Sequence, residues 1–157
     1  MKPGDTIDAF IRPNPAFRPV GGRAPVIMVG AGTGIGPLAG FIRGNARHRP
    51  IHLYFGARDP QSDYLYEAEL RTWLSDKRLT RLVTAFSRAS ERAYVQDRIA
   101  SDADAVRAFV ARGAQIMVCG GRQMAQGLAR VVEEVVKPLG LDVTTLKMQG
   151  RYVEDVY

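Results

Sequence analysis

The sequence predicts an α/β fold: an open, doubly wound parallel sheet of about five strands with helices on both faces. Three observations predict it. Short apolar runs at Val26–Val29, Ile51–Phe55 and Ala114–Cys119 show little polar alternation, as strands covered on both faces require. Segments with apolar residues at helical spacing separate those runs, and strands alternating with helices build a parallel sheet. Glycines stand at the ends of the runs, at Gly30–Gly36, Gly56 and Gly120–Gly121, where the chain has to turn out of the sheet.

Residues 1–24 read differently. Thr6–Arg12 alternates as a half-buried strand does, and Pro13, Pro15, Pro19 and Gly21–Gly22 then break the pattern. A lone strand is not stable without sheet partners, so residues 1–24 are expected to be the remnant of a preceding domain plus a linker, and residues 25–157 one domain. The first strand of that domain enters the glycines. Pro37 suits the first helical position, Leu38, Phe41 and Ile42 continue at helical spacing, and Pro50 ends a helix expected to reach about Arg47. The second strand is Ile51–Gly56. Asp63 is expected to cap a helix near Tyr64–Leu74, with Tyr66, Leu70 and Trp73 on one face. Arg81–Phe86 is the third strand, followed by the polar loop Ser87–Arg92. One or two helices fill Val95–Arg112, with Ser101 and Asp104 spaced as a capping box and Gly113 as the stop. After the fourth strand, Met124, Leu128, Val131, Val132 and Val135 form one helical stripe. Asp142–Gln149 adds a short helix, and Gly150–Tyr157 an edge strand.

At 157 residues and 46% hydrophobic, the chain can bury one ordinary core. No run approaches the roughly 18 apolar residues of a membrane span, so no membrane contact is expected. The single cysteine excludes an internal disulfide and fits a reducing, cytoplasmic setting. A net charge of +6 and a pI of about 9.8 invite a nucleic-acid reading. The arginines, however, are scattered from Arg12 to Arg151 without a dense block. No nucleic-acid partner is therefore expected, and the modest positive field suits a phosphorylated ligand or an acidic partner.

Ligands of such sheets lie outside the carboxyl ends of the strands, which selects the glycine turn, Gly56–Arg58, Ser87–Arg88 and Cys119–Gly121. A strand, a glycine turn and a helix start together offer free amides and a positive dipole end to an anion. A P-loop is excluded, because Ile35–Pro37 supplies no Lys followed by Ser or Thr. The G-x-G-x-x-G spacing fails as well: counted from Gly30 it ends on Ile35, and counted from Gly32 on Pro37. The second strand leads into Ala57–Arg58 rather than to the acid that holds a 2′-hydroxyl. Ser87, Arg88, Arg92 and Tyr94 bring two guanidinium forks and two hydroxyls to one loop, a cradle for a dianionic phosphate. A 2′-phosphate on an adenosine accounts for both the basic loop and the missing acid. Cys119, followed by two glycines, is expected at the rim of the crevice. His48 and His52 lie far from it in sequence, so a Cys–His protease is unsupported. Asp155 and Tyr157 reach the same crevice if the last strand returns beside the fourth.

In that order, Val26–Pro37, Gly56–Arg58 with Asp63–Tyr66, Phe86–Arg88, Tyr94–Gln96, Val118–Gly120, and Arg151–Tyr152 with Asp155–Tyr157 resemble the NADPH-binding domain of the diflavin reductases. These are the sulfite reductase flavoproteins and microsomal haemoprotein reductases, within the ferredoxin-NADP reductase superfamily. The resemblance covers about residues 20–157 and implies the Rossmann-like C-terminal domain of that superfamily; residues 1–19 resemble the last strand of its FAD barrel. It implies that Gly32, Thr33 and Gly34 hold the pyrophosphate, with Arg58 beside them and Gly30 and Gly120 among the cofactor-binding positions. It further implies that Ser87, Arg88, Arg92 and Tyr94 hold the 2′-phosphate and that Gln96 lies near the adenosine. Cys119 and Asp155 would stand at the nicotinamide, and Tyr157 would cover the FAD until NADPH displaces it. The implied partners are an FAD-binding domain of the same polypeptide and a downstream acceptor, an FMN domain or another protein. The residues alone leave one alternative, a non-catalytic nucleotide-sensing or acidic-partner docking module. Gly121–Arg122 and a short Arg88–Arg92 loop depart from the family pattern.

Overall fold

A computed structural model describes residues 2, 4–8 and 14–157. Five strands, β1 (Val26–Ala31), β2 (Ile51–Ala57), β3 (Arg81–Phe86), β4 (Gln115–Gly120) and β5 (Tyr152–Val156), form one sheet in the order β3-β2-β1-β4-β5. Every neighbouring pair is parallel. The helices between them are α1 (Ile35–Arg43), α2 (Glu67–Ser75), α3 (Val95–Ser101), α4 (Ala103–Ala111), α5 (Arg122–Val136) and α6 (Val143–Met148).

Strand periodicity divides the core in two. Val26, Met28, Leu53, Phe55 and Met117 face one apolar layer with Ile35, Leu38 and Ile42 of α1 and Leu70 and Trp73 of α2. Ile27, Val29, Tyr54, Ile116 and Val118 face the other, against α3, α4 and the Leu128–Val132–Val135 stripe of α5. Helices thus cover both faces, which is why the strands read as continuous apolar runs. Each fully buried Ile, Leu or Phe contributes about 1.5–3 kcal/mol by leaving water.

The element boundaries differ from the sequence expectations where side chains act at a distance. The first helix ends at Arg43 rather than near Arg47, because Asn45 is fully engaged just beyond its end. Its Oδ1 accepts from the Arg49 amide at 3.1 Å, and its Nδ2 donates to the carbonyls of Arg49 and Arg78 at 2.9 and 2.7 Å. Pro37 falls third in α1, where its missing amide donor is still no loss. Asp63 does not cap α2. The Asp59 carboxylate accepts from the amides of Gln61 and Ser62 to shape the turn, and Tyr66, in the left-handed region at φ 61°, starts the helix from an exposed position. Ser101 and Asp104 form no capping box. Ser101 donates to the Asp97 carbonyl, while Asp102 is drawn to the Tyr54 hydroxyl at 3.1 Å and the Arg81 guanidinium at 2.7 Å. The reciprocal cap is instead Tyr94–Asp97, with the Tyr94 amide donating to Asp97 Oδ2 at 2.8 Å.

The strand expected over Thr6–Arg12 lies for the most part outside the described residues. Residues 14–24 lie against the domain: Phe17 is buried beside Phe41, and Arg49 donates to the carbonyls of Val20 and Gly22.

Candidate functional site

A cleft of about 830 Å³ opens at the carboxyl ends of β1, β2 and β3. Its walls come from the Gly32–Gly34 turn after β1, Arg58 after β2, Ser87 after β3, Tyr94 and Gln96 at the start of α3, Gln123 and Met124 of α5, and Tyr157. Three of the four strand ends that the sheet rule selects line it, and the fourth, Cys119–Gly121, contributes only through Gln123 and Met124 of the helix that follows. The volume lies within the range of cofactor sites.

The turn after β1 is built for close approach. A Cβ on Gly34 would stand 2.2 Å from the Cys119 carbonyl oxygen, so only glycine lets the turn lie against the end of β4. Gly32 adopts φ 56°, a left-handed conformation that frees the turn to point away from the sheet. Neither α1 nor α5 carries an acidic residue in its first turn, so the positive ends of both helices are unopposed by a local carboxylate.

The basic loop sits at the far wall. The amides of Ser87 and Arg88 continue the β2–β3 pairing onto the carbonyls of Ala57 and Arg58, at 3.0 and 2.8 Å. Arg92 lies over the Tyr94 ring at 5.3 Å and donates to its hydroxyl, holding a guanidinium and a phenol side by side beside the cleft. Arg88 and Arg92 are both exposed and stand outside the lining itself. Gln96 presents a buried Oε1 with no hydrogen-bond partner, an acceptor left open beside the cleft.

The third group is set by sheet register. Gly30, Cys119 and Asp155 are direct partners across three neighbouring strands, since Cys119 pairs with Gly30 on one side and with Asp155 on the other. The last strand therefore does return beside the fourth. Tyr157, just past its end, donates its amide to the Gly120 carbonyl at 3.2 Å, and its hydroxyl shares a hydrogen bond of 2.8 Å with Thr33 Oγ1. Asp155 accepts from Asn14 Nδ2 at 3.1 Å.

One placement corrects the sequence reading. Cys119 does not reach the rim: it is 2% exposed, because its parity on β4 turns it, with Met117, into the layer under α1. Burial and then the Asp155 carboxylate push its thiol up to about 11, so at neutral pH it is a neutral, apolar group rather than a nucleophile. Its backbone, not its sulfur, meets the glycine turn.

Sequence reasoning missed Gln123 and Met124 on the cleft wall, and Leu65 and Asp63 beside it. The first two were legible in principle, since they open the helix that follows a strand ending in Gly120–Gly121. The donor set taken together fits an elongated polyanion: two uncapped helix starts, Arg58, Ser87 and the Arg92–Tyr94 pair, while the open acceptor on Gln96 suits a donor group on the same ligand. Among the described residues no group of three or more His, Cys, Asp or Glu side chains is arranged to hold a metal ion.

Comparison with known proteins agrees with this geometry. The family model described as oxidoreductase NAD-binding domain matches residues 28–130. The chain is 32% identical to the NADPH–cytochrome P450 reductase of Dictyostelium discoideum, over 100% of this chain and 26% of that protein. It is 36% identical to the NADPH–cytochrome P450 reductase of Homo sapiens, over 96% and 25%. It is 30% identical to the sulfite reductase flavoprotein alpha-component of Bacillus subtilis (strain 168), over 100% and 28%. The chain spans about a quarter of the length of these curated relatives. The parallel sheet and the family match over residues 28–130 agree, and the chain belongs to the oxidoreductase NAD-binding domain family, as the kind of domain that diflavin reductases carry.

Proposed function

We propose that this chain holds NADPH in the strand-end cleft and presents it to FAD on another domain of the same polypeptide, from which electrons pass to FMN or another acceptor. In this reading residues 25–157 are the NADP-binding domain, and residues 1–24 are the end of an FAD-binding barrel with its linker. The observation that carries the proposal is the convergence of the Gly32–Gly34 turn, the Ser87–Tyr94 loop and Tyr157 on one cleft. Among the described residues no helix is long and apolar enough to cross a membrane, and a cytoplasmic location is proposed with the rest.

Bound NADPH supplies a hydride; what the chain supplies is binding, orientation and charge. Backbone amides of Gly32, Thr33 and Gly34, at the positive start of α1, hold the pyrophosphate, with Arg58 neutralising it from the side. Gly30 and Gly120, cofactor-binding positions in this reading, act by letting Leu38 of α1 and Met124 of α5 close on the strand ends. Ser87, Arg88, Arg92 and Tyr94 hold the 2′-phosphate, while Gln96 accepts a donor from the adenosine. Asp155 places a carboxylate where positive charge develops on the nicotinamide side. Cys119, its neutral thiol buried under α1, supports that end of the site through its backbone. Tyr157 covers the flavin side of the cleft until the nicotinamide takes its place.

Calorimetric titration with NADP⁺ and NAD⁺ tests the assignment. Arg88→Ala and Arg92→Ala are each expected to weaken NADP⁺ by about 1.5–3 kcal/mol, the size of a lost hydrogen bond to a charged group, and to leave NAD⁺ nearly unchanged. Equal weakening of both nucleotides would refute the 2′-phosphate assignment.

A further inference from the structure

Residues 14–20 climb the β5 side of the sheet. At the lower end, the fully buried Gln115, first residue of β4, accepts from the Val20 amide at 2.9 Å. Its Nε2 donates to the carbonyls of Arg18 and Gly150, at 3.2 and 3.1 Å, tying the segment to the bases of both β4 and β5. Midway, Phe17 is 4% exposed, in the same apolar layer as Met117, Cys119 and Val153, and its ring centroid lies 6.0 Å from that of Phe41. At the upper end, Asn14 Nδ2 donates to Asp155 Oδ1 at 3.1 Å, 141 residues away in sequence. The segment is a strap fastened at its base and middle, with one polar group delivered to the carboxylate at its top.

We propose that Asn14 is a positioning residue for Asp155, held at the height of that carboxylate by the strap through Phe17 and Gln115. The chemistry is that of a neutral amide donor. It occupies one lone pair of Oδ1 and leaves the remaining acceptor directions of the carboxylate for the ligand side. Asp155 stands on an edge strand, so sheet register fixes its backbone, whereas only a side-chain partner fixes its torsion. Nothing in a local sequence pattern signals this, because the donor comes from the proline-broken segment read as linker. The proposal rests on the place given to Asp155 beside the nicotinamide.

Single-turnover reduction of the flavin by NADPH in the full-length protein tests it. Asn14→Ala is expected to slow that step about tenfold, as loss of one hydrogen bond to a charged group does, with NADP⁺ affinity and melting temperature unchanged. Asn14→Gln, which keeps the donor, should recover most of the rate. In an Asp155→Asn background the Asn14→Ala change should cost nothing further, because the two residues act as one unit. If Asp155→Asn slows the step and Asn14→Ala does not, Asn14 has no such role. Slowing by Asn14→Ala that persists undiminished in the Asp155→Asn background, or that follows a lowered melting temperature, would make it merely structural and overturn the proposal. If Asp155→Asn itself leaves the rate intact, the reading of Asp155 fails and this proposal with it.

Discussion

The side-chain hydroxyls of Thr33 and Tyr157, 124 residues apart in the sequence, share a hydrogen bond of 2.8 Å. One belongs to the glycine turn that follows the central strand and the other to the last residue of the chain. With its amide on the Gly120 carbonyl, Tyr157 is fastened at two points across one end of the cleft. The link is exposed, so its loss should alter stability by less than about 1 kcal/mol. Tyr157→Phe should therefore melt like the parent, whereas Tyr157→Ala, which removes the ring from the cleft wall, should bind NADP⁺ more tightly. Calorimetry on the two variants checks this, and weaker binding by Tyr157→Ala would mean that the ring is a platform for the ligand rather than its cover.

Two glycines should respond in opposite ways to the same substitution. A methyl at Gly34 would stand 2.2 Å from the Cys119 carbonyl oxygen, and backbone cannot step aside as a flexible side chain can. Gly34→Ala is expected to cost about 3 kcal/mol or more, at the upper end of overpacking penalties. Gly40, exposed in the middle of α1, has open space around it, and Gly40→Ala should add about 0.5–1 kcal/mol through helix propensity and a less floppy unfolded chain. Urea titrations of both variants give the comparison directly.

His52 makes the fold acid-sensitive. It is buried against Phe109, ring centroids 3.8 Å apart, with an unpartnered Nδ1. Burial first, then the Arg81 and Arg112 charges, depress it to about 4, with Asp102 opposing. The unfolded chain, with an ordinary histidine, binds a proton that the folded one refuses between about pH 6.5 and pH 4. Stability should thus be full above that window and fall as the pH drops through it, by about 2 kcal/mol between pH 7 and pH 5. Denaturant midpoints measured at both pH values should show this loss in the parent and not in His52→Leu. A parent curve as flat as that of the variant would show that the imidazole is not the group responsible.

Sheet and layers were legible because they depend on local patterns. Val26–Val29 and Ala114–Cys119 announce strands buried on both faces, and the Leu128–Val132–Val135 stripe announces the helix that covers one of them. The same continuity hid the parity of Cys119. A strand that is apolar without a break from Ile116 to Cys119 carries no mark of which side chains face which layer, so the rim and the buried layer were equally open to its sulfur until Met117 was placed beneath α1. Helix ends were hidden for another reason. Asn45 stops α1 by bonding to Arg78, and Asp102 divides α3 from α4 by bonding to Tyr54 and Arg81, partners that no spacing rule reaches. The site was readable as a set of strand ends, whereas Asn14 was not, since its partner lies 141 residues further along the sequence.

The row of Gly30, Cys119 and Asp155 is spaced by interstrand pairing, about 4.8 Å from one position to the next, and not by loops. A slip of one residue on either strand would invert every side chain along it and expose half the interior, so an offset version of the row would not survive as a folded molecule. Its accuracy is inherited from the act of folding: any molecule that has assembled this sheet has already aligned the row, and selection for alignment and selection for solubility fall on the same residues.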